Sequence, residues 1–206
     1  MDIPLDVEVR CIDGVAGHCT AVVLNPVTKV ISHLVVKTQG HAHEEVLVPL
    51  DFITDSSVKH IGLRCNFGEL GQLAPFMKMV HTEESGLGET SAQALAGAEF
   101  QSGVGFKDFG FGGAGAGELV EQEAIPETEL AVRVGTPVHA TDGPIGQVDR
   151  FFVRADSGEI MQLVLLEKHL LSKKDFVIPV EQIDRIGEEM VYLKLSKQAV
   201  EQLPRV

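Results

Sequence analysis

Asp13-Gly14-Val15-Ala16-Gly17 and Asp142-Gly143-Pro144-Ile145-Gly146 are one phrase, Asp-Gly-x-x-Gly, met twice at a displacement of 129 residues. The pattern downstream returns with it. Ile31-Ser32-His33-Leu34-Val35-Val36-Lys37 matches Met161-Gln162-Leu163-Val164-Leu165-Leu166-Glu167, and Val46-Leu47-Val48-Pro49-Leu50-Asp51-Phe52-Ile53 matches Phe176-Val177-Ile178-Pro179-Val180-Glu181-Gln182-Ile183, both at 130, so the second copy has gained one residue. A repeat of this length decides the architecture before local propensity is consulted. For 206 residues it implies two units of about 70 residues each, with thin cores that need good packing or a partner.

Working outward, each copy opens with a strand-like run, Val7–Ile12 or Thr136–Thr141. Asp-Gly then supplies a tight turn, the glycine accepting positive φ and the aspartate bonding its own backbone. Thr20–Leu24 and Gln147–Val153 read as second strands, followed by turns at Asn25-Pro26-Val27-Thr28 and Asp156-Ser157-Gly158. The third strands, through Leu34–Val36 and Leu163–Leu166, lack alternation, which predicts burial on both faces or a barrel interior. The fourth ends in Val48-Pro49 or Ile178-Pro179. A proline there needs an edge or a bulge, so the same edge is marked twice. A last strand, His60–Cys65 or Met190–Leu195, leads to Asn66 or Ser196, good N-caps for a two-turn helix that puts Leu70 with Leu73, or Val200 with Leu203, on one face. Such a helix is too short to stand alone and is expected to plug its barrel.

Between the copies the composition changes. Residues 68–117 hold 12 of the 21 glycines, and Phe100, Phe106, Phe109 and Phe111 interrupt them at uneven spacing. Gly-rich, acidic sequence is costly to order, so residues 84–125 read as a flexible linker whose phenylalanines are candidate stickers for a barrel or partner. The tract lacks the Lys-Ser/Thr and the strand-to-helix context of a phosphate-binding loop.

The formal charge of −13 argues against direct nucleic-acid binding. Acidity is concentrated between the copies: 5 basic and 9 acidic residues in 1–76, 2 and 10 in 77–130, and 10 and 11 in 131–206. With 44% hydrophobic residues and no Trp, the core is aliphatic and wholesale disorder is not expected. The first residues lack the cationic start and apolar run of a signal peptide, and no stretch reaches the ~18 apolar residues of a membrane span. A soluble, cytoplasmic protein is the expectation.

The order strand, Asp-Gly-x-x-Gly turn, strand, turn, apolar strand, strand ending in Pro-hydrophobic-acid, then Ile, resembles the PRC-barrel family. The match is carried by Asp142, Gly143, Gly146, Leu163–Leu166, Pro179 and Ile183, and by Asp13, Gly14, Gly17, Leu34–Val36, Pro49 and Ile53. The resemblance covers about two-thirds of the chain and implies small antiparallel barrels serving protein interaction and assembly, without a catalytic constellation. The motif is made of turn and core residues, so it marks a fold more than a site. The same barrel occurs in the photosynthetic reaction centre H subunit, beside a membrane helix that this chain lacks, and in a ribosome-maturation factor, beside an unrelated N-terminal domain.

Candidate chemistry is sparse. His41-Ala42-His43-Glu44-Glu45 puts imidazoles and carboxylates on one loop, a ligand set that suits Zn²⁺ or Ni²⁺ but is smaller than a closed site needs. Cys11, His18 and Cys19 raise a thiolate–imidazole reading, yet three cysteines confined to the first copy without close spacing fit reduced core thiols better. The basic Lys168–Lys174 stretch lies opposite the His41–Glu45 loop in the repeat, an opposition of charge that favours docking of copy on copy or chain on chain. The expected organisation is therefore all-β: a PRC-barrel-like unit at 1–80, an acidic Gly-rich linker at 81–130 and a second unit at 131–206, each closed by a short C-terminal helix. The expected function is a non-enzymatic scaffold or adaptor with a protein partner, in a homodimer or with packed barrels, and with no catalytic, cofactor or metal site. A metal or small-ligand sensor using His41–Glu45 is the alternative, and a ribosome- or RNA-processing-associated factor the second.

Overall fold

The computed structural model describes residues 1–39, 45–81, 119–169 and 172–204, and these are mostly β-strand. The first copy contains β1 (Asp2–Pro4), β2 (Glu8–Cys11), β3 (Gly14–Asn25), β4 (Val30–Thr38), β5 (Glu45–Pro49), β6 (Ile53–Ser57), β7 (His60–Leu63) and α1 (Phe67–Leu70). Next come β8 (Met77–His81) and β9 (Leu119–Glu123), which pair as a two-stranded sheet. The second copy runs β10 (Leu130–Arg133), β11 (Pro137–Ala140), β12 (Gly143–Val153), β13 (Ile160–His169), β14 (Ser172–Pro179), β15 (Ile183–Ile186), β16 (Val191–Leu193) and α2 (Lys197–Glu201). Of the segment read as linker, 82–118 lies outside the described residues, including Phe100, Phe106, Phe109 and Phe111. Residues 119–123 are strand, and Leu130 begins another.

Both copies lay their strands in the same order, β5-β4-β3-β2-β7-β6 and β14-β13-β12-β11-β16-β15. Each Pro-ending strand is terminal in its sheet, where the missing N–H costs nothing. Four register shifts recur at equivalent places, among them Val9/Arg10 with Val138/His139 and Cys19/Ala21 with Val148/Arg150. Bulges of this kind bend a strand and raise its twist, and their repetition curls both sheets alike. The sheets are mixed and not wholly antiparallel as expected: β2–β7 and β11–β16 run parallel. A parallel neighbour requires the chain to cross over before returning. Here it turns at 3₁₀ segments, Leu50–Phe52 and Val180–Gln182, and comes back through β6 or β15.

Pair register also corrects the sequence alignment of the copies. Ile31 and Leu34 pair with Leu24 and Val22, as Ile160 and Leu163 pair with Val153 and Phe151, so the third strands are displaced by 129 and not 130. Val48 pairs with Leu34 and Ile178 with Leu163, which restores 130 at the fourth strand. The extra residue therefore falls in the β13–β14 hairpin. A one-residue slip along apolar runs such as Leu34-Val35-Val36 exchanges the two faces without altering the letters much, which is why the text alone misplaced it.

The repeated motif has two structural duties. Gly14 and Gly143 take φ of 145° and 127°, open to glycine alone at little cost. At Gly17 and Gly146 a Cβ would collide with the carbonyl oxygen of Lys37 or Leu166 on the next strand. The aspartates do something the sequence reading missed. Instead of bonding their own turn, Asp13 accepts from the Phe67 N–H (3.1 and 3.2 Å) and Asp142 from the Lys197 N–H (2.9 Å), each tying the first turn to the first residue of the terminal helix. Asn66 and Ser196 cap those helices as expected, Asn66 with a full capping box through Glu69. Each helix is a single turn and not the two turns expected, and it buries Leu70 or Val200.

The copies exchange strands. β1 pairs with β12 of the second sheet (Ile3 opposite Phe151), and β10 pairs with β3 of the first (Val132 opposite Val22), both partners displaced by the same 129 residues. The flanking bonds repeat too: Leu5 N–H donates to Asp149 O (3.0 Å) and Val134 N–H to Thr20 O (2.9 Å). Asp6 and Gly135 then turn the chain at positive φ, 60° and 81°, into its own sheet. Ile3 and Val132 are fully buried, each worth about 1.5–3 kcal/mol of apolar burial in the other copy's sheet. One hydrophobic core runs through both copies, and residues 1–77 and 123–206 form one compact unit. Lys29 adds a staple, its Nζ donating to Val180 O (3.2 Å) and Ile183 O (3.0 Å).

Candidate functional site

Each sheet has an outer face, turned away from the shared core, and the two outer faces differ. In the first copy Ala21, Val23, Val35, Leu47 and Ala131 make a second apolar cluster around Phe76, which is fully buried. The third strand is thus buried on both sides, Leu34 and Val36 inward and Val35 outward. Phe76 is delivered by an extended segment along the edge of β5. Leu47 N–H donates to Ala74 O (2.9 Å), Phe76 N–H donates to Glu45 O (2.8 Å), and Val46 bridges Pro75. Ala124 N–H closes over the segment onto Phe76 O (2.6 Å).

A polar clamp holds the ring. The Arg133 guanidinium lies 5.1 Å from the Phe76 centroid and bonds Glu123 (3.0 Å), with Glu45 at 3.6 Å. Thr20 Oγ1 donates to Glu45 Oε1 (2.8 Å). Glu45 is the described end of the His41–Glu45 loop, and its carboxylate is committed to this clamp. His41, His43 and Glu44 lie outside the described residues.

In the second copy the same register positions read Arg150, Phe152, Val164, Val177 and Asp2. Arg150 is 7% exposed, with Asp149, Asp2 and Asp175 at 3.4, 3.7 and 3.8 Å. None of these is a close bidentate pair, and Arg150 Nε and Asp2 Oδ1 are buried without a hydrogen bond. Burial raises the Asp2 carboxyl above its ordinary value; Arg150 opposes that rise and Asp149 adds to it. Val177 N–H donates to Pro204 O (3.1 Å), as Leu47 does to Ala74 O. Phe152 and Val177 remain half-buried where Val23 and Leu47 are covered.

The cysteines are free and buried, as expected. Cys11 and Cys65 meet with sulfurs 3.7 Å apart, a pairing across 54 residues that spacing could not reveal. Burial first, then the shared contact with Cys65, pushes the Cys11 thiol up to about 12. Burial pushes the Cys19 thiol up to about 12 as well, and its sulfur faces Ala21 O at 3.6 Å. His18 is exposed whereas Cys19 is buried, because neighbours on a strand point to opposite faces, so the Cys11–His18–Cys19 grouping is not assembled.

The described residues include two open clefts among others. One, of about 590 Å³, is lined by Ile145, Gly146, Leu166, Glu167, Lys197 and Glu201 among others. The other, of about 520 Å³, is lined by Phe52, Arg64, Cys65, Glu69, Gln72 and Leu73. Among the described residues no cluster of three or more His, Cys, Asp or Glu could hold a metal ion, and no helix is long and apolar enough to cross a membrane. The basic stretch Lys168–Lys174 spans the tip of the β13–β14 hairpin, whose Leu170 and Leu171 lie outside the described residues. Sequence reasoning missed Phe76, Arg133 and Arg150 as partners; the only signal was that equivalent strand positions carry Ala21 in one copy and Arg150 in the other. No protein-family model matches the chain, and no curated protein is significantly similar to it.

Proposed function

We propose that the protein is a non-enzymatic scaffold built from two PRC-barrel-like halves, which binds partner proteins by accepting an extended segment along a sheet edge. The observation that carries this reading is the Ala74–Phe76 segment. It runs beside β5, bonds its edge and buries an aromatic anchor on the outer face, so the chain itself displays the binding mode. The equivalent edge of the second copy is β14, where Pro204 O takes the Val177 N–H (3.1 Å) while Phe152 and Val177 stay half-buried, so a partner segment would enter by displacing Pro204 O. Its charged neighbours are three aspartates around one arginine, on a chain of net charge −13, so the partner segment is basic with an apolar anchor.

The test is affinity capture from the native cell with the full chain, followed by measured affinities for each captured protein against Val177→Asp. A partner of this kind loses tenfold or more in affinity to the variant, while circular dichroism shows the fold retained. Equal binding by wild type and variant contradicts the reading, as does turnover of a small-molecule substrate by the purified chain.

A further inference from the structure

We propose that Cys11 and Cys65 are a site of reversible covalent modification, where exchange with a low-molecular-weight disulfide closes an internal bridge between β2 and the turn that starts α1. The sulfurs are already in contact at 3.7 Å. The backbones lie side by side, Ile12 N–H donating to Cys65 O at 3.0 Å. Backbones joined in that way run ~4.8 Å apart, inside the ~4.4–6.8 Å range of Cα separations that a disulfide spans. Closing the bond therefore asks for side-chain rotation and not for strand movement.

Packing does not require the thiols. The second copy repeats the same bond, Thr141 N–H to Leu195 O at 2.9 Å, with Ala140 and Leu195 where the first has Cys11 and Cys65. Both thiols are nearly closed to solvent, Cys11 7% and Cys65 2% exposed, and the cleft lined by Phe52, Arg64, Glu69 and Leu73 reaches Cys65 and not Cys11. Cys65 thus loses its proton and attacks one sulfur of the incoming disulfide, RSSR, breaking the S–S bond and releasing one thiolate. The Cys11 thiolate then attacks the Cys65 sulfur of the mixed disulfide, forming the Cys11–Cys65 bond and expelling the second. Two cysteine sulfurs are oxidised by two electrons in total, and RSSR leaves as two RSH carrying the two protons. Burial and, after it, the contact with Cys65 hold Cys11 as a neutral thiol, and forming the mixed disulfide removes the second of these. Cys19, equally buried and facing only Ala21 O, is an internal control.

The full chain is incubated with oxidised glutathione at mildly alkaline pH and quenched in acid; thiols are then counted in denaturant and the peptides mapped. The expected result is a fall from three free thiols to one, a mass lower by two hydrogens, a linked pair of peptides holding Cys11 and Cys65, and Cys19 unmodified. The Cys11→Ala variant, which takes the second copy's residue at that place, is expected to stop at a stable glutathione adduct on Cys65. Three remaining thiols, a stable adduct on the wild-type chain, a bridge between two molecules, or an unmodified Cys65 in the variant would each overturn the proposal.

Discussion

Where the first copy sets Ala21 and Ala131 on the outer face of its sheet, the second sets Arg150 and Asp2 at the same register positions, and the two faces have opposite chemistry. The inner faces kept their aliphatic character because both line one shared core. Among the described residues, the first outer face is covered by a segment carrying a buried aromatic ring, and the second is not. An apolar sheet surface is stable where something lies over it, and the second face instead holds a buried Arg150 among Asp2, Asp149 and Asp175.

The largest way to separate the faces is Phe76→Ala. Emptying a fully buried ring site should cost about 3–5 kcal/mol in urea denaturation, whereas Val177→Ala on the half-buried second face should cost under about 1 kcal/mol. Equal costs would erase the distinction. Arg150→Ala comes next, because it removes a buried cation from three half-buried carboxylates; a loss of roughly 1–3 kcal/mol is expected at neutral pH, read by the same method.

Asp13→Ala and Asp142→Ala should each cost about 1 kcal/mol as lost helix-end acceptors, with the two values close to each other. Unequal values would show that the repeated motif has drifted in role. The smallest effect is electrostatic. The folded-state carboxyl of Asp2 is raised, so the folded protein binds that proton more tightly than the unfolded chain does. Its charged form therefore opposes folding at pH above the folded value, and this penalty fades as pH falls through the folded value toward the ordinary 3.8. Asp2→Asn should raise the melting temperature at neutral pH and give no gain below the ordinary value.

Much of the fold was legible in the text because each visible signal was local. Asp-Gly marks a turn, a strand-ending proline marks an edge, and Asn66 or Ser196 marks a helix start. β1 and β10 were not legible: each is a short run of three or four residues whose partner lies in the other copy, so no local pattern names it. The same holds for Asp13 bonding Phe67 and for Cys11 touching Cys65, contacts made by closure of the sheet across more than fifty residues. Arg150 reads as a surface residue by type, and only the swapped β1 brings Asp2 to it.

Reciprocal strand exchange predicts that the two copies fold and unfold as halves of one cooperative unit. Nature has placed a separate probe in each half, since all three cysteines lie in the first and the only tyrosine, Tyr192, in the second. Equilibrium urea unfolding followed by Tyr192 fluorescence and by thiol labelling of Cys11, Cys19 and Cys65 should give one coincident transition with the same midpoint and slope. Two transitions at different urea concentrations, with either half persisting while the other is unfolded, would contradict it.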